Sequence, residues 1–443
     1  MLAFAMRDTN IVVASVIFNN FLRAFSSVIL TRLLVPEVFG IAGLVGALAF
    51  TLSLMSDLGF QAFVVRHQDG DKARFLDTIW TVALIRSAVL TLLLLALAQP
   101  IAVAVGSPEL APIIAASSLV FVVEGVASMS LLTAIRHRMI LRLSLLEAAV
   151  AIFQFAAAAI LAYFWRNYWA ILASILMGGC LKSLLSYLCF SESIRRLALD
   201  RHYLKDLWGF ARFVTGSSII TVVLVQSDKF VLAALMPLEA FGLYVLAGNL
   251  ASAPLAFASA YASRVLYPAY SQAWRDGAAN LRELFYEKRW FPTLLYTFAA
   301  GGLVGSAPLI IAILYDPRYS GAAIYLQLLA ISPLFALASN SANEALTATG
   351  RIRATFQASI FKLMWLAVAG PFGYLQWREI GLVAAVGLME PAVLLFKWVQ
   401  LQRAGLLNIH KEALFVLAGI AGIAIGTLID YMLRTSPIFQ IFG

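Results

Sequence analysis

Long apolar stretches separated by short polar ones run along nearly the whole chain. A helix needs about 20 mostly apolar residues, rising 1.5 Å each, to cross about 30 Å of hydrocarbon. Thirteen such windows are expected. Six lie near residues 11–31, 38–65, 76–98, 110–133, 143–165 and 168–190. Six more lie near 210–235, 240–263, 290–315, 321–346, 356–376 and 379–401, with an unpaired one near 412–433. The longest polar connections are 191–208 and 270–290. The second mixes Leu281, Leu284, Phe285 and Trp290 with Arg282, Glu283, Glu287, Lys288 and Arg289, which predicts an amphipathic helix lying on the bilayer surface.

The pattern also repeats. Residues 34–48 read L-V-P-E-V-F-G-I-A-G-L-V-G-A-L and residues 236–250 read M-P-L-E-A-F-G-L-Y-V-L-A-G-N-L. Glu37, Phe39, Gly40, Gly46 and Leu48 thus recur 202 positions on at Glu239, Phe241, Gly242, Gly248 and Leu250. Six windows separate the copies, and an even number returns the chain to the same membrane face. The halves therefore read as parallel repeats about an axis along the membrane normal. The expected fold is an all-α polytopic membrane protein with two parallel six-helix lobes around a central cavity and an extra C-terminal helix. The N-lobe is expected over 1–195, the C-lobe over 196–405 and the added helix within 406–443.

Composition agrees, because 62% hydrophobic against 12% charged residues and a mean hydropathy of +0.88 exclude a soluble globular domain. The formal charge of +9 is carried by alternate connections. One face holds Arg7, then Arg66, Lys72 and Arg74, then Arg136, Arg138 and Arg142, then Arg195, Arg196, Arg201, Lys205 and Arg212, with further Lys and Arg after windows eight, ten and twelve. The other keeps Arg32, Arg166, Arg318, Arg378 and Arg434. This bias predicts a cytoplasmic N-terminus and explains the basic charge without a nucleic-acid partner. Residues 1–10 lead straight into a full-length window with no signal-peptide cleavage pattern, so this segment is expected to stay attached. Cys180 and Cys189 lie nine residues apart on different sides of one helix, and no disulfide or metal site is expected there.

Ionisable residues inside the windows are the candidate chemistry, since a basic side chain at mid-span costs about 2.5–3.5 kcal/mol on insertion scales. Arg23 shares a helical face with Ser15, Asn19 and Ser26; the 202-residue offset carries that stripe to Ser217, Thr221 and Asp228, and Arg23 to Val225. Similar stripes carry Ser117, Glu124 and Ser128, then Asn249, Ser252, Ser259 and Ser263, then Ser332, Ser339 and Asn343. Isolated Ser and Thr residues are expected to serve close helix packing. Arg86 is mid-span without such a stripe. Lys182, Lys362 and Lys397 lie within reach of a span end and are expected to snorkel. Glu390 precedes Pro391 and is expected to compensate a kink. Asp57 and Arg66 flank the cytoplasmic end of the second window.

Several segments resemble a known group: R-L-L-V-P-E-V-F-G at 32–40, S-D-L-G-F at 56–60, Q-S-D-K at 226–229, E-A-F-G-L-Y at 239–244 and S-R-V-L-Y-P-A-Y-S at 263–271. Together, over about residues 10–400, the chain resembles the polysaccharide transport (Wzx-like flippase) branch of the multidrug/oligosaccharidyl-lipid/polysaccharide (MOP) flippase superfamily. The resemblance implies alternating access and movement of undecaprenyl-diphosphate-linked oligosaccharide from the cytoplasmic to the periplasmic leaflet of the bacterial inner membrane. A coupling proton or sodium ion is the expected energy source, no cofactor is expected, and membrane lipids, a polysaccharide polymerase and export machinery are the expected partners. Such a cargo asks for cations at the phosphates, met by Arg23, Arg86 and Arg264. It asks for amides and hydroxyls at the sugars, met by Asn19, Thr221, Gln226 and Asn249. Glu124, Asp228 and Asp57 are the ion-coupling candidates.

An enzyme is disfavoured. A polymerase needs a sizeable periplasmic loop, which is absent, and acyl transfer wants a positioned histidine, whereas His67, His137, His202 and His410 all fall in cytoplasmic connections. A lipid II-type flippase or a drug/cation antiporter on the same scaffold is the alternative.

Overall fold

Each apolar window is largely helical, but several helices begin well before it, α1 at Leu2, α10 at Arg201 and α13 at Leu281. In the computed structural model, which describes residues 2–190, 194–276 and 281–435 (side chains at 2–10, 12, 13, 16, 17, 213, 217 and 220 excepted), the chain divides into two units, Met1–Leu238 and Glu239–Gly443.

The first unit contains α1 (Leu2–Leu33), α2 (Pro36–Met55), α3 (Phe60–Arg66), α4 (Ala73–Ala104), α5 (Ala111–Ser117), α6 (Leu119–Val126), α7 (Ser130–Arg136), α8 (Ile140–Trp165), α9 (Tyr168–Leu188) and α10 (Arg201–Leu235). Pro36 and Glu37 occupy the first turn of α2, where a missing N–H is harmless and a negative charge meets the positive helix end. Asn167 and Asp200 cap α9 and α10 through their side-chain oxygens. α1 packs on α8, α8 on α9, α4 on α5 and α6, and α10 on α2. Phe63, Val64, Phe75, Leu76 and Ile79 bury their side chains with Tyr203 and Leu207 of α10.

The second unit contains α11 (Leu238–Tyr261), a π-helical segment (Ala262–Leu266), α12 (Tyr267–Arg275), α13 (Leu281–Gly305), α14 (Ala307–Leu314), α15 (Ala322–Leu329), α16 (Ile331–Ala348), α17 (Ile352–Gly387), α18 (Met389–Arg403) and α19 (Ile409–Arg434). α17 is two helices, because Trp377 and Arg378 leave helical geometry and Arg378 takes φ 52°. Its limbs fold back on each other: Gly373 and Gly381 meet backbone to backbone, and Trp365 Nε1 donates to Ala385 O at 2.8 Å. α13 and α19 make the closest pairing of the unit. A Cβ on Gly301 would collide with Gly419 O, and one on Gly422 with Phe298 O, so only glycine lets these backbones approach so closely.

Among the described residues nine helices are long and apolar enough to cross a membrane, or eleven when Arg201–Gly216 with Thr221–Leu235 and Leu281–Gly305 with Ala307–Leu314 each count as one. This does not reach the thirteen expected from hydropathy. Ile352–Arg403 enters as one stretch of 52 residues although it turns back at Trp377.

The surface helix expected over 270–290 is corrected. Leu281 to Trp290 are the opening turns of α13, and Tyr270, Leu281, Phe285 and Tyr286 are core residues packed with Leu401, Leu406 and Phe415. Arg289, read from sequence as a loop cation, is 0% exposed; it pairs with Glu412 of α19, itself 1% exposed, and its guanidinium stacks over Phe285, Tyr286 and Phe415. Arg282, Glu283, Glu287 and Lys288 form the exposed polar face, while Arg289 lies on the buried one with its partner Glu412.

Candidate functional site

Two expected spans of the first unit are broken toward one end, and side chains from neighbouring helices satisfy the breaks. Ser56 to Gly59 separate α2 from α3. The α2 end leaves carbonyls without intrahelical donors, and Arg86 of α4 supplies them: Nη2 donates to Ser53 O at 2.7 Å and Nε to Ser56 O and Oγ at 2.8 and 3.0 Å. Asp57 Oδ1 accepts from Gly59 N at 2.8 Å, and Thr215 Oγ1 of α10 donates to Asp57 O at 2.9 Å. Gly59 sits at φ 68°, where an L side chain would be strained and a Cβ would press on Phe210. Asp57 and Arg86 are thus brought to one break.

The second break, at residues 127–129 between α6 and α7, is bridged to α9. Ser186 Oγ accepts from Ser128 N at 3.0 Å, Ser130 Oγ donates to Ser186 O at 2.6 Å, and Tyr187 OH donates to Val126 O at 2.7 Å. Interrupted helices at membrane depth are tolerated only where protein or a wet cavity receives the freed backbone groups. A cavity of about 400 Å³ lies alongside α6, lined by Asn19 of α1, Glu124 of α6, Glu147 and Gln154 of α8 and Lys182 of α9 among apolar residues. Glu124 is within electrostatic reach of Arg86 and Lys182. Asn19 and Glu124, chosen on separate stripes, therefore share one chamber. Glu147 and Gln154 were not singled out from sequence, although their spacing of seven puts them on one face of α8 and could have marked them. Lys182 of α9 lines the cavity together with Ile175, Leu176, Gly178 and Gly179 of the same helix.

Other candidates fall elsewhere. Arg23 is exposed on α1, and Val225, its counterpart, is exposed on α10. On α10 Thr221 is exposed, Asp228 is half-buried, and Gln226 is buried with its Oε1 meeting no donor of the chain. The Ser217 side chain lies outside the described residues. In the second unit Asn249, Ser252, Ser259, Ser263 and Arg264 are all exposed along α11 and the π-helical segment, a distortion that often marks functional positions.

The polar loop after α3 is held by charge. Arg136 Nη1 donates to Val64 O, Val65 O and His67 O at 2.9, 2.8 and 2.7 Å, ending α3 as Arg86 ends α2. Asp71 accepts from Arg136 Nε at 2.9 Å and lies 2.8 Å from His137 Nε2. Asp69 pairs with Lys72 at 2.8 Å and accepts from Tyr203 OH at 2.9 Å; the Lys72 ammonium first, then the Tyr203 hydroxyl, hold its carboxyl below the usual carboxylate range.

The second unit carries a buried charge network that sequence reading dispersed. Lys362 of α17 pairs with Glu390 of α18, Ser339 of α16 bonds Glu390 Oε2 at 2.8 Å, and Lys397 of α18 donates to Ser339. The expected snorkelling of Lys397 is corrected: it is 4% exposed and turned inward.

Residues 29–324 match the model of the family described as polysaccharide biosynthesis protein. The lipopolysaccharide biosynthesis protein WzxC of Escherichia coli K12 is 22% identical over 82% of this chain and 73% of its own. The succinoglycan biosynthesis transport protein ExoT of Rhizobium meliloti is 24% identical over 69% of this chain, which spans only 61% of that relative. Among solved structures, lipid II flippase MurJ in an inward closed conformation superposes with a TM-score of 0.74 over 97% of this chain and 95% of that one, at 12% identity, a likeness of fold. The chain is therefore a multi-pass membrane protein that belongs to the polysaccharide biosynthesis protein family and shares its fold with lipid II flippase MurJ.

Proposed function

We propose that the protein is a flippase that moves undecaprenyl-diphosphate-linked oligosaccharide from the cytoplasmic to the periplasmic leaflet of a bacterial inner membrane, by alternating access coupled to an ion, with its N-terminus in the cytoplasm. The observation that carries this reading is the open pocket of the first unit, where Asn19, Glu124, Glu147, Gln154 and Lys182 stand among apolar residues, set among helices of membrane-crossing length in a chain of the polysaccharide biosynthesis family. Its amides and carboxylates suit sugar hydroxyls, and Lys182 suits a phosphate oxygen. In the first unit Arg23 is an exposed cation for the diphosphate. Glu124 is the candidate for the coupling proton or sodium, since it shares the chamber with Lys182 and feels Arg86. Polymerase and export proteins are the partners this cargo implies.

The two carboxylates of the chamber, Glu124 and Glu147, also favour a second reading, antiport of organic cations. Translocation in proteoliposomes separates the two. Movement of a fluorescent undecaprenyl-diphosphate oligosaccharide, lost in Arg23→Ala at normal protein abundance, supports the flippase. Uptake of a cationic dye without lipid movement overturns it. Export surviving in an Arg23→Ala strain that lacks any other flippase would remove Arg23 from the cargo path.

A further inference from the structure

The chamber in the first unit leaves the buried charges of the second unit without a role. Lys397 Nζ donates to Ser339 O at 3.1 Å and to Ser339 Oγ at 2.8 Å. Ser339 is 0% exposed, and its hydroxyl, having accepted from Lys397, donates to Glu390 Oε2. The other oxygen of Glu390 is taken by Lys362, whose side chain is 23% exposed. The remaining titratable groups that reach the set are Glu344 of α16, half-buried and within electrostatic reach of Lys397, and Tyr296 of α13, within reach of Glu390. Tyr296 spends its hydroxyl on Pro254 O and Pro333 O.

A pair that only holds helices together places a cation against an anion. Here one lysine does so directly and the other does not: Lys397 is buried and donates to the carbonyl and hydroxyl of Ser339, with Glu390 and Glu344 acting on it from beyond hydrogen-bond contact. The serine hydroxyl connects its charge to the Glu390 carboxylate. We propose that Lys397, Ser339, Glu390 and Lys362 form a proton relay that discharges and reloads one proton per transport cycle. Lys397 gives a proton to Ser339 Oγ as Ser339 gives its own to Glu390 Oε2, leaving a neutral amine, an unchanged hydroxyl and a carboxylic acid. Lys362 then releases a proton to water at its exposed edge and takes the one on Glu390, restoring the ion pair. The Lys397 amine is reloaded on the side of Glu344, where α16 is partly exposed. This assignment rests on the flippase reading for its cargo and gives the coupling role there to the relay in place of Glu124.

The test uses the full chain in proteoliposomes with the fluorescent undecaprenyl-diphosphate oligosaccharide and a gradient of one pH unit. One proton per cargo biases its distribution between leaflets about tenfold. Ser339→Ala and Lys397→Met are expected to reduce that bias to none, and Ser339→Thr, which keeps the hydroxyl, to restore it. A bias unchanged in Ser339→Ala, or absent from the parent chain while cargo still moves, overturns the relay and leaves the flippase standing. If no cargo moves, the flippase reading fails, and the relay is judged by infrared difference spectra between acid and alkaline pH. A carboxylic C=O band lost in Glu390→Gln and altered in Ser339→Ala supports it; the absence of such a band overturns it.

Discussion

Arg86 and Arg136 each end a helix, and both do so from a neighbouring helix. A guanidinium carries five N–H donors in a fixed fork, which lets one side chain serve several carbonyls at once. Removing it takes donors away from partly buried carbonyls. Arg86→Ala is expected to destabilise the protein by about 1–3 kcal/mol, read as earlier thermal unfolding in detergent, with Arg86→Lys recovering only part. Arg289 is a harder case, because its partner would remain as an uncompensated buried carboxylate. Arg289→Met is expected to cost about 3–5 kcal/mol, and Arg289→Met with Glu412→Leu to regain most of it. A double variant as unstable as the single would refute this coupling. Asp69 sets an acid limit on the α3–α4 loop. Its carboxyl is depressed by Lys72 and Tyr203, so its contribution is full above the unfolded value of about 3.9 and is lost as pH falls through the folded value. Asp69→Asn is expected to flatten the fall in unfolding temperature below about pH 4, and a slope equal to that of the parent would exclude it. The mid-span position of Arg86 and the polarity of Asp57 were legible in the sequence. That Arg86 reaches the break beside Asp57 was not, because its bond to Ser56 joins residues 30 positions apart around a break that hydropathy averages away.

Elements tell the same story at longer range. The turn between residues 376 and 379 was readable because Arg378 interrupts two apolar runs, and the chain does fold back there. The opening of α13 was misread because amphipathicity says only that a helix has two faces, not what meets the buried one, where Arg289 pairs with Glu412, 123 residues away. The seam itself was written in glycines: Gly301 and Gly305 on α13, Gly419, Gly422 and Gly426 on α19. Gly422→Leu would force Phe298 and its backbone away, and is expected to lower the yield of folded protein in size-exclusion profiles far more than Gly302→Leu, where a Cβ meets open space. Equal yields would mean that the seam is not tightly packed.

At the scale of the molecule, the 202-residue repeat and the division into units measure different things. The repeat puts α10 at the head of the second half, whereas α10 packs on α2 and lies in the first unit. The orientation proposed from Lys and Arg is open to direct mapping in a background without Cys180 and Cys189. A thiol at Arg138, in the turn before α8, is expected to react from the cytoplasm, and one at Arg166, in the turn before α9, from the periplasm. Reversed accessibility would invert the topology and with it the direction of transport.

The pairing of α13 with α19 has a consequence for biogenesis. Gly305 ends one partner and Ile409 begins the other, so about a hundred residues are translated between them, a wait of roughly 5–20 s at about 5–20 residues per second. Throughout that interval the nascent chain carries an uncompensated Arg289 and a bare glycine groove, a signature by which membrane chaperones and proteases could distinguish unfinished molecules from finished ones.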